Sequence, residues 1–176
     1  MSGRSVYTAF QAAAGRFGQR PFLRTPAISA ASYAGDAIEY TYESAQARVN
    51  ALLSSYAARD LQAGQRVALA FDARLEVYLH LLALNALGVS VVPLNAGASD
   101  EELRHIIGHS DSRFAVSLPE HSARLAGLDI CEVITEDDLF DSSAEPVCAD
   151  PDLNREAALL YTSGTTGKPK GCMLSN

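Results

Sequence analysis

Short apolar runs alternate with segments of helical periodicity between residues 64 and 134, and this alternation restricts the fold more than any other feature of the sequence. The apolar runs are residues 66–71, 89–94, 113–117 and 129–134, and the helical segments between them are 74–87, a segment after Ser99, and 119–126. Short connections between such elements favour right-handed β-α-β units, and near-continuous apolar strands are typical of parallel sheets covered on both faces. The sequence therefore predicts an α/β fold, with a parallel-rich sheet flanked by helices on both faces.

The first 60 residues precede this alternation and predict a smaller arrangement of helices and strands. Residues 5–17 place apolar side chains at helical spacing behind Ser5, a residue type that caps helix N-termini. Two β-like parts follow, residues 21–25 with 27–32 and then residues 37–42, which predict a hairpin or meander. Residues 43–60 predict an amphipathic helix. Its apolar face consists of Ala45, Val49, Leu52, Leu53 and Tyr56.

Composition and charge exclude several functional classes. The 176 residues carry 14 basic and 21 acidic side chains, a net charge of −7, whereas a nucleic-acid-binding surface requires clustered basic residues. No apolar run approaches the ~18 residues that a membrane span needs, and no signal sequence follows Arg4. Cys131, Cys148 and Cys172 match neither a disulfide framework nor a paired zinc spacing. We therefore expect a cytoplasmic protein with reduced thiols, no transmembrane segment and no nucleic-acid partner.

Residues 135–155 are rich in acidic side chains and contain Pro146 and Pro151, which predicts a solvated connection. The acidic residues are Glu136, Asp137, Asp138, Asp141, Glu145, Asp150 and Asp152. A calcium loop requires regularly spaced ligands and a glycine turn, and this segment has neither. The connection is therefore not predicted to bind a metal.

The chemistry is concentrated in residues 157–175, where an apolar strand leads into a glycine-rich loop and then into a second strand-like run. Of the 14 basic residues only two are lysines, and both lie in this loop. Glycines let the backbone approach a ligand closely, consecutive N–H groups bind anionic oxygens, and hydroxyl and ammonium groups donate to phosphates. The residues concerned are Thr162, Ser163, Gly164, Thr165, Thr166, Gly167, Lys168, Lys170 and Gly171. This combination predicts a polyphosphate-binding loop.

The spacing within the loop differs from two common nucleotide-binding motifs. A Walker A loop has a longer spacer before its Gly-Lys pair and a Ser or Thr after the lysine. Here two residues separate Gly164 from Gly167, and Pro169 follows Lys168. The GxGxxG dinucleotide pattern is absent as well.

The string from Tyr161 to Gly171, YTSGTTGKPKG, resembles the phosphate-binding signature of the adenylate-forming enzymes. That superfamily includes acyl-CoA synthetases, aryl-CoA ligases, luciferases and the adenylation domains of peptide synthetases. Residues 64–71, 88–95 and 101–111 resemble its first half in order and spacing, and residues 171–176 are most similar to acyl-CoA synthetases and carnitine- or crotonobetaine-type CoA ligases. The chain departs from the pattern at Asn176, where many members have His, and at Asp72-Ala73, where many have Pro-Asn.

The resemblance implies a two-step reaction. A carboxylic acid and Mg·ATP give an acyl-adenylate and pyrophosphate, and coenzyme A then displaces AMP. The loop is expected to hold the β- and γ-phosphates through the hydroxyls of Thr162, Ser163, Thr165 and Thr166, with Thr162 also contacting Mg²⁺. Lys170 is the stronger expected phosphate contact, because Lys168 occupies a position where the family varies.

The resemblance also implies that the chain is the first part of the family's large N-terminal domain, with no catalytic residue of its own and no activity alone. Its expected parts are a helix, small β-region and helix (1–60), β-α-β units (61–134), the acidic connection (135–155) and a strand-loop-strand unit (156–176). Two alternatives stay open. One is a non-catalytic fragment that binds nucleotides or self-associates, and the other is an adenylation enzyme with an acceptor other than CoA.

The histidines give no comparable motif. His105 and His109 are four residues apart, but Ile106 stands where a zinc-protease helix has Glu, and no third ligand is evident. They are predicted to lie on a solvated helix surface. His80 and His121 are isolated in the sequence.

Overall fold

The order of helices and strands follows the predicted alternation, in a computed structural model that describes residues 5–139, 148–150, 152–162 and 168–176. The helices are α1 (Val6–Phe17), α2 (Ala27–Ala30), α3 (Tyr42–Ala57), α4 (Glu76–Ala86), α5 (Asp100–Ser110) and α6 (Pro119–Ala126). The strands are β1 (Pro21–Thr25), β2 (Ile38–Thr41), β3 (Arg66–Ala70), β4 (Ser90–Pro93), β5 (Phe114–Ser117), β6 (Glu132–Thr135), β7 (Glu156–Thr162) and β8 (Lys170–Ser175). A 3₁₀ helix, Glu136–Leu139, follows β6.

Within the described residues the strands form two sheets. β1 and β2 pair antiparallel, and the larger sheet has the order β6-β5-β3-β4-β7-β8. Its strands from β6 to β7 are parallel, and β8 runs antiparallel to β7 along the edge. The predicted α/β fold with a parallel-rich sheet is confirmed. No helix in these same ranges is long and apolar enough to cross a membrane.

The side chains of β3 divide the hydrophobic core into two layers. Val67 and Leu69 belong to the first core, which also contains apolar residues of α1, α3 and α4. Ala68 and Ala70 belong to the second core, with residues of α5 and α6. Because successive residues of a strand point to opposite faces, this alternation confirms helices on both faces of the sheet. The small alanine side chains let the second layer of helices approach the sheet closely.

The N-terminal region agrees with the sequence except at residues 27–32. The Ser5 hydroxyl caps α1 by accepting from the Thr8 N–H at 3.2 Å, and the predicted apolar face of α3 is buried. The β-like assignment of residues 27–32 is wrong, because Ala27–Ala30 is the short helix α2. The amides of Ser29 and Ala30 donate to the Pro26 carbonyl, and Ala30 is fully buried. Local amide bonding and the burial of an alanine therefore outweigh the β-like pattern.

An ion pair between Arg66 and Glu156 joins the first residues of β3 and β7 across β4. The Arg66 Nε and Nη2 atoms donate to the two carboxylate oxygens at 2.7 and 2.8 Å, and Nη1 donates to the Ser110 carbonyl at 3.1 Å. Hydrogen bonding to Glu156 raises the pKa of Arg66 and, in return, lowers the pKa of Glu156. Since Ser110 is the last residue of α5, one guanidinium fixes two strands and a helix end.

His80 lies in the first core and is fully buried. Its Nδ1 atom is 2.7 Å from the hydroxyl of Tyr56, and its Nε2 atom is 3.6 Å from the Glu136 carboxylate. Burial lowers the pKa of His80. Although burial opposes it, the contact with His80 lowers the pKa of Glu136. The side chain of Glu136 is only 14% exposed, so this residue departs from the expected solvated acidic connection.

Asn176, the residue that follows β8, is hydrogen-bonded to the start of α1 and to α4. Its Oδ1 atom accepts from the Val6 N–H at 3.2 Å and from the Asn85 side-chain amide at 2.8 Å. Its own amide donates to the Asp152 carbonyl at 3.0 Å, and the Asn85 oxygen accepts from the Tyr7 N–H at 3.0 Å. The amide side chain that replaces the family's frequent His is therefore saturated by backbone and Asn85 partners.

We predict that His80 makes the fold less stable as the pH falls. The folded-state pKa is lowered, so the unfolded chain takes up the proton first, and stability is lost as pH drops through the unfolded value of about 6.5. Urea unfolding between about pH 8 and about pH 5 should show a slope up to ~1.4 kcal/mol per pH unit steeper than in His80→Gln. An unchanged urea m-value is the control, and equal pH slopes in the two proteins would contradict the prediction.

We predict that Glu156→Gln destabilises the fold by about 2 kcal/mol at neutral pH, because Arg66 loses a charged hydrogen-bond partner. The folded-state pKa of Glu156 lies below its usual 4.5, so the difference should persist above that value and vanish as pH falls through the folded pKa. Glu39→Gln is the matched control. It breaks the exposed 3.7 Å pair with Arg24 and should change stability by no more than ~1 kcal/mol. Equal losses of stability in Glu156→Gln and Glu39→Gln would contradict a special contribution of the Arg66–Glu156 pair.

Candidate functional site

The predicted phosphate-binding residues lie on and between β7 and β8. These strands pair with Tyr161 opposite Gly171 and Thr162 opposite Lys170. Thr162 and Lys170 are therefore the last pair before the connecting loop. Ser163, Gly164, Thr165, Thr166 and Gly167 lie outside the described residues. The structure thus brings together both ends of the predicted loop.

The loop end of the hairpin lies at the edge of the sheet formed by the carboxyl ends of the parallel strands. β7 is parallel to β4 and β4 to β3, so Thr162 lies at the same edge as the residues that follow those strands. Open α/β sheets bind their ligands at the carboxyl ends of the strands. The position of the loop therefore fits a ligand site.

Both lysines present their charge to solvent at this edge. Thr162, Lys168 and Lys170 are exposed. Within the described ranges, neither lysine has an ion-pair partner. In a chain with a net charge of −7, this is a local concentration of positive charge suited to a phosphate chain.

Gly171 makes room for the residues that precede the loop. A Cβ atom at this position would lie 2.9 Å from Cδ1 of Leu159 and 3.3 Å from Cζ of Tyr161. The Tyr161 side chain therefore crosses the hairpin over Gly171, and this brings its ring close to α5. Here glycine is required by side-chain packing across two strands.

The expectation of a solvated surface for His105 and His109 is wrong in one respect. The His105 ring is half-buried, and its Nε2 atom is 3.0 Å from the Pro169 carbonyl oxygen. His109 is exposed, yet its Nδ1 atom is 2.7 Å from the Tyr161 hydroxyl. The spacing of four residues was visible in the sequence, but only the sheet order places α5 beside the β7–β8 hairpin.

A second group of polar side chains lies at the same edge of the sheet. Asp72, Glu120 and His121 have ligand-type atoms within 4.8 Å of one another, the one such group of three found in the described ranges. His121 Nε2 is 2.9 Å from Asp72, and Glu120 is engaged by Arg74. His121, isolated in the sequence, is therefore paired in the fold.

The family described as AMP-binding enzyme matches residues 10–176, nearly the whole chain. The chain belongs to this family. The resemblance seen in the loop is thereby confirmed, and it extends from α1 to β8.

Curated AMP-binding relatives include both CoA ligases and peptide synthetases. The sulfoacetate–CoA ligase of Cupriavidus necator is 36% identical over 134 residues, 69% of this chain and 26% of the ligase. A feruloyl-CoA synthase from an Amycolatopsis species is 31% identical over 155 residues, 86% of this chain and 31% of the synthase. Surfactin synthase subunit 2 of Bacillus subtilis is 31% identical over 87% of this chain and 4% of its own length. The chain thus spans less than a third of each of these relatives.

Solved structures share the fold over almost all of the chain. The o-succinylbenzoate CoA synthetase of Bacillus subtilis in complex with AMP has a TM-score of 0.82 at 24% identity, covering 98% of this chain and 42% of that one. The same enzyme in complex with ATP and magnesium ion has a TM-score of 0.81. The N-terminal subdomain of Klebsiella oxytoca NpsA has a TM-score of 0.80 at 21% identity, covering 99% of this chain and 43% of that one. The predicted architecture, the N-terminal subdomain of an adenylate-forming enzyme, is confirmed.

We predict that Gly171→Ala destabilises the hairpin by about 1–3 kcal/mol, because the new methyl group overpacks against Leu159 and Tyr161. Gly15→Ala is the matched control. It adds the same methyl group on α1 where nothing lies within 4 Å, and it should stabilise the protein by roughly 0.5–1 kcal/mol. Chemical unfolding of the two variants measures the contrast. A Gly171→Ala protein as stable as the wild type would show that the hairpin has spare room.

Proposed function

We propose that the chain is the front portion of an ATP-dependent, AMP-forming acyl-CoA synthetase. The reaction joins a carboxylic acid to ATP, giving an acyl-adenylate and pyrophosphate, and then transfers the acyl group to coenzyme A. The observation that carries the proposal is the pairing of Thr162 with Lys170 at the loop end of the hairpin. Lys170 and its neighbour Lys168 are both exposed and have no ion-pair partner in the described ranges. This donor set suits the β- and γ-phosphates of ATP.

The proposed role of the loop is electrostatic. When the carboxylate attacks the α-phosphate, negative charge develops on the departing pyrophosphate, and positioned donors stabilise that charge. Lys170 and the Thr162 hydroxyl supply donors from the two flanking strands, and Ser163, Gly164, Thr165, Thr166, Gly167 and Lys168 complete the proposed contact set. Thr162 also offers a hydroxyl oxygen to Mg²⁺, which when bound neutralises phosphate charge.

CoA is the proposed acceptor because relatives that match 69% and 86% of this chain are named CoA ligases. A peptide-synthetase type of adenylation enzyme is the second candidate, since surfactin synthase subunit 2 matches 87% of the chain at 31% identity. The two differ in the thiol that receives the acyl group. AMP release from the full-length polypeptide with a carboxylic acid, with and without free CoA, distinguishes them.

The proposal assigns the 176 residues to the phosphate-holding part of the reaction. They span 26% and 31% of the two CoA-ligase relatives, so we expect no carboxylate-dependent ATP–pyrophosphate exchange from this polypeptide alone. The three cysteines are free, which is consistent with the proposed cytoplasmic location.

We predict that the chain binds Mg·ATP and that Lys170→Ala weakens binding about tenfold, the loss of one charge-assisted contact of roughly 1.4 kcal/mol. Lys168→Ala should have a smaller effect. Isothermal titration calorimetry with ATP measures both affinities. Arg113→Ala is the control for net charge, because Arg113 is exposed and precedes β5 at the opposite edge of the sheet.

Equal weakening by Lys170→Ala and Arg113→Ala would show that only the overall charge matters, and would contradict the assignment of the loop as the phosphate site.

Self-association is a separate candidate property, because the edge strand β8 exposes Met173 and Leu174 at 69% and 44%. Light scattering on the same samples detects it. A concentration-dependent rise in mass without any ATP binding would favour the self-associating alternative over the nucleotide site.

A further inference from the structure

Helix α5 contacts both flanks of the phosphate loop, and it does so through two histidines one turn apart. His109 meets the hydroxyl of Tyr161, the residue before Thr162. His105 meets the carbonyl of Pro169, the residue before Lys170. Residues 162–168 lie between these two contacts.

The rings of the three aromatic side chains form one packed group. The centroids of His105 and His109 are 5.4 Å apart, and Tyr161 meets each of them edge-on, at 6.4 and 5.8 Å. Edge-to-face geometry at these distances is attractive and directional. Tyr161 is therefore held by its ring as well as by its hydroxyl.

The two contacts differ in whether their chemistry fixes the donor. The Pro169 carbonyl oxygen accepts only, so the Nε2 atom of His105 carries the proton and donates it. The Tyr161 hydroxyl can donate or accept, so its 2.7 Å contact with Nδ1 of His109 forms with the proton on either atom. Each histidine thus makes a different hydrogen bond, one to backbone and one to a side chain.

Helix α5 is itself fixed, so it can hold the loop in place. The Ser99 hydroxyl caps its first turn by accepting from the Glu102 N–H at 3.2 Å, and Arg66 donates to the carbonyl of its last residue, Ser110. Leu103, Ile106 and Ile107 are buried in the second core. A helix held at both ends and along one face is a rigid reference for the hairpin.

We propose that His105 and His109 are positioning residues that hold the two flanks of the phosphate loop at the separation that a bound triphosphate requires. This inference rests on the proposed nucleotide function of the loop. Fixing the flanks before the ligand arrives reduces the ordering cost of binding. Neither histidine touches the ligand in this proposal.

The test separates the contribution of the His105 hydrogen-bond donor from that of the side chain's size. His105→Leu removes the Nε2–H donor, whereas His105→Gln keeps an amide N–H near the same position. Loss of one neutral hydrogen bond should weaken Mg·ATP binding about fivefold in His105→Leu, and His105→Gln should restore it to within about twofold. His121→Leu is the matched control, because His121 lies on α6 and contacts Asp72, not the hairpin. Tyr161→Phe removes the hydroxyl at the other flank and should weaken binding to a similar extent.

A second measurement monitors the residues that flank the loop in the absence of ligand. Amide hydrogen exchange at Thr162 and Lys170 should be about fivefold faster in His105→Leu than in the wild type, and unchanged in His105→Gln and His121→Leu. If the wild type does not bind ATP, the proposed function is wrong, and the exchange rates alone decide whether the histidines hold the loop. Unchanged exchange and affinity in His105→Leu would overturn the inference. Equal losses in the Leu and Gln variants would overturn it as well, because the hydrogen bond would then have no part.

Discussion

The bidentate contact between Arg66 and Glu156 is the interaction on which the rest of the structure depends. It spans three neighbouring strands, because β4 lies between β3 and β7, and its third hydrogen bond reaches the end of α5. β7 is far from β3 in sequence, and an ion pair with two parallel hydrogen bonds specifies geometry as well as attraction. The same guanidinium therefore fixes both β7, which leads into the proposed phosphate loop, and α5, which contacts Tyr161 and Pro169 on either side of that loop.

The two ends of the parallel strands carry different charged groups, and the two faces of the sheet pack against different cores. The Arg66–Glu156 pair lies where the parallel strands begin, and the exposed lysines lie where those strands end. The first core holds the buried polar group of His80 and Tyr56, whereas the second core is built of small alanines of the sheet and aliphatic residues of α5. The interior thus pairs its polar groups with one another, whereas the edge at the ends of the strands leaves Thr162, Lys168 and Lys170 exposed to solvent.

Local sequence pattern predicted most of the helices and strands because each has strong periodicity or a clear cap, as Ser5 and Ser99 show. It failed at residues 27–32, where amide bonds to the Pro26 carbonyl close a short helix. The family could be recognised from the sequence because glycines, hydroxyls and lysines are contiguous in residues 161–171. The contacts of His105 and His109 could not be foreseen, since they depend on β4 and β7 being neighbours across about 65 residues of sequence. Glu136 was misjudged for the same reason, because its partner His80 lies on a distant helix.

The hydrogen bonds of Asn176 have a consequence for the order of events during synthesis. The bond from the Val6 N–H to Asn176 joins residues 170 apart in sequence. Contacts of such long separation form only after the intervening chain exists, and the loop between them must be closed against its entropy. The first turn of α1 therefore gains this hydrogen bond only after all the residues from Val6 to Asn176 have been synthesised.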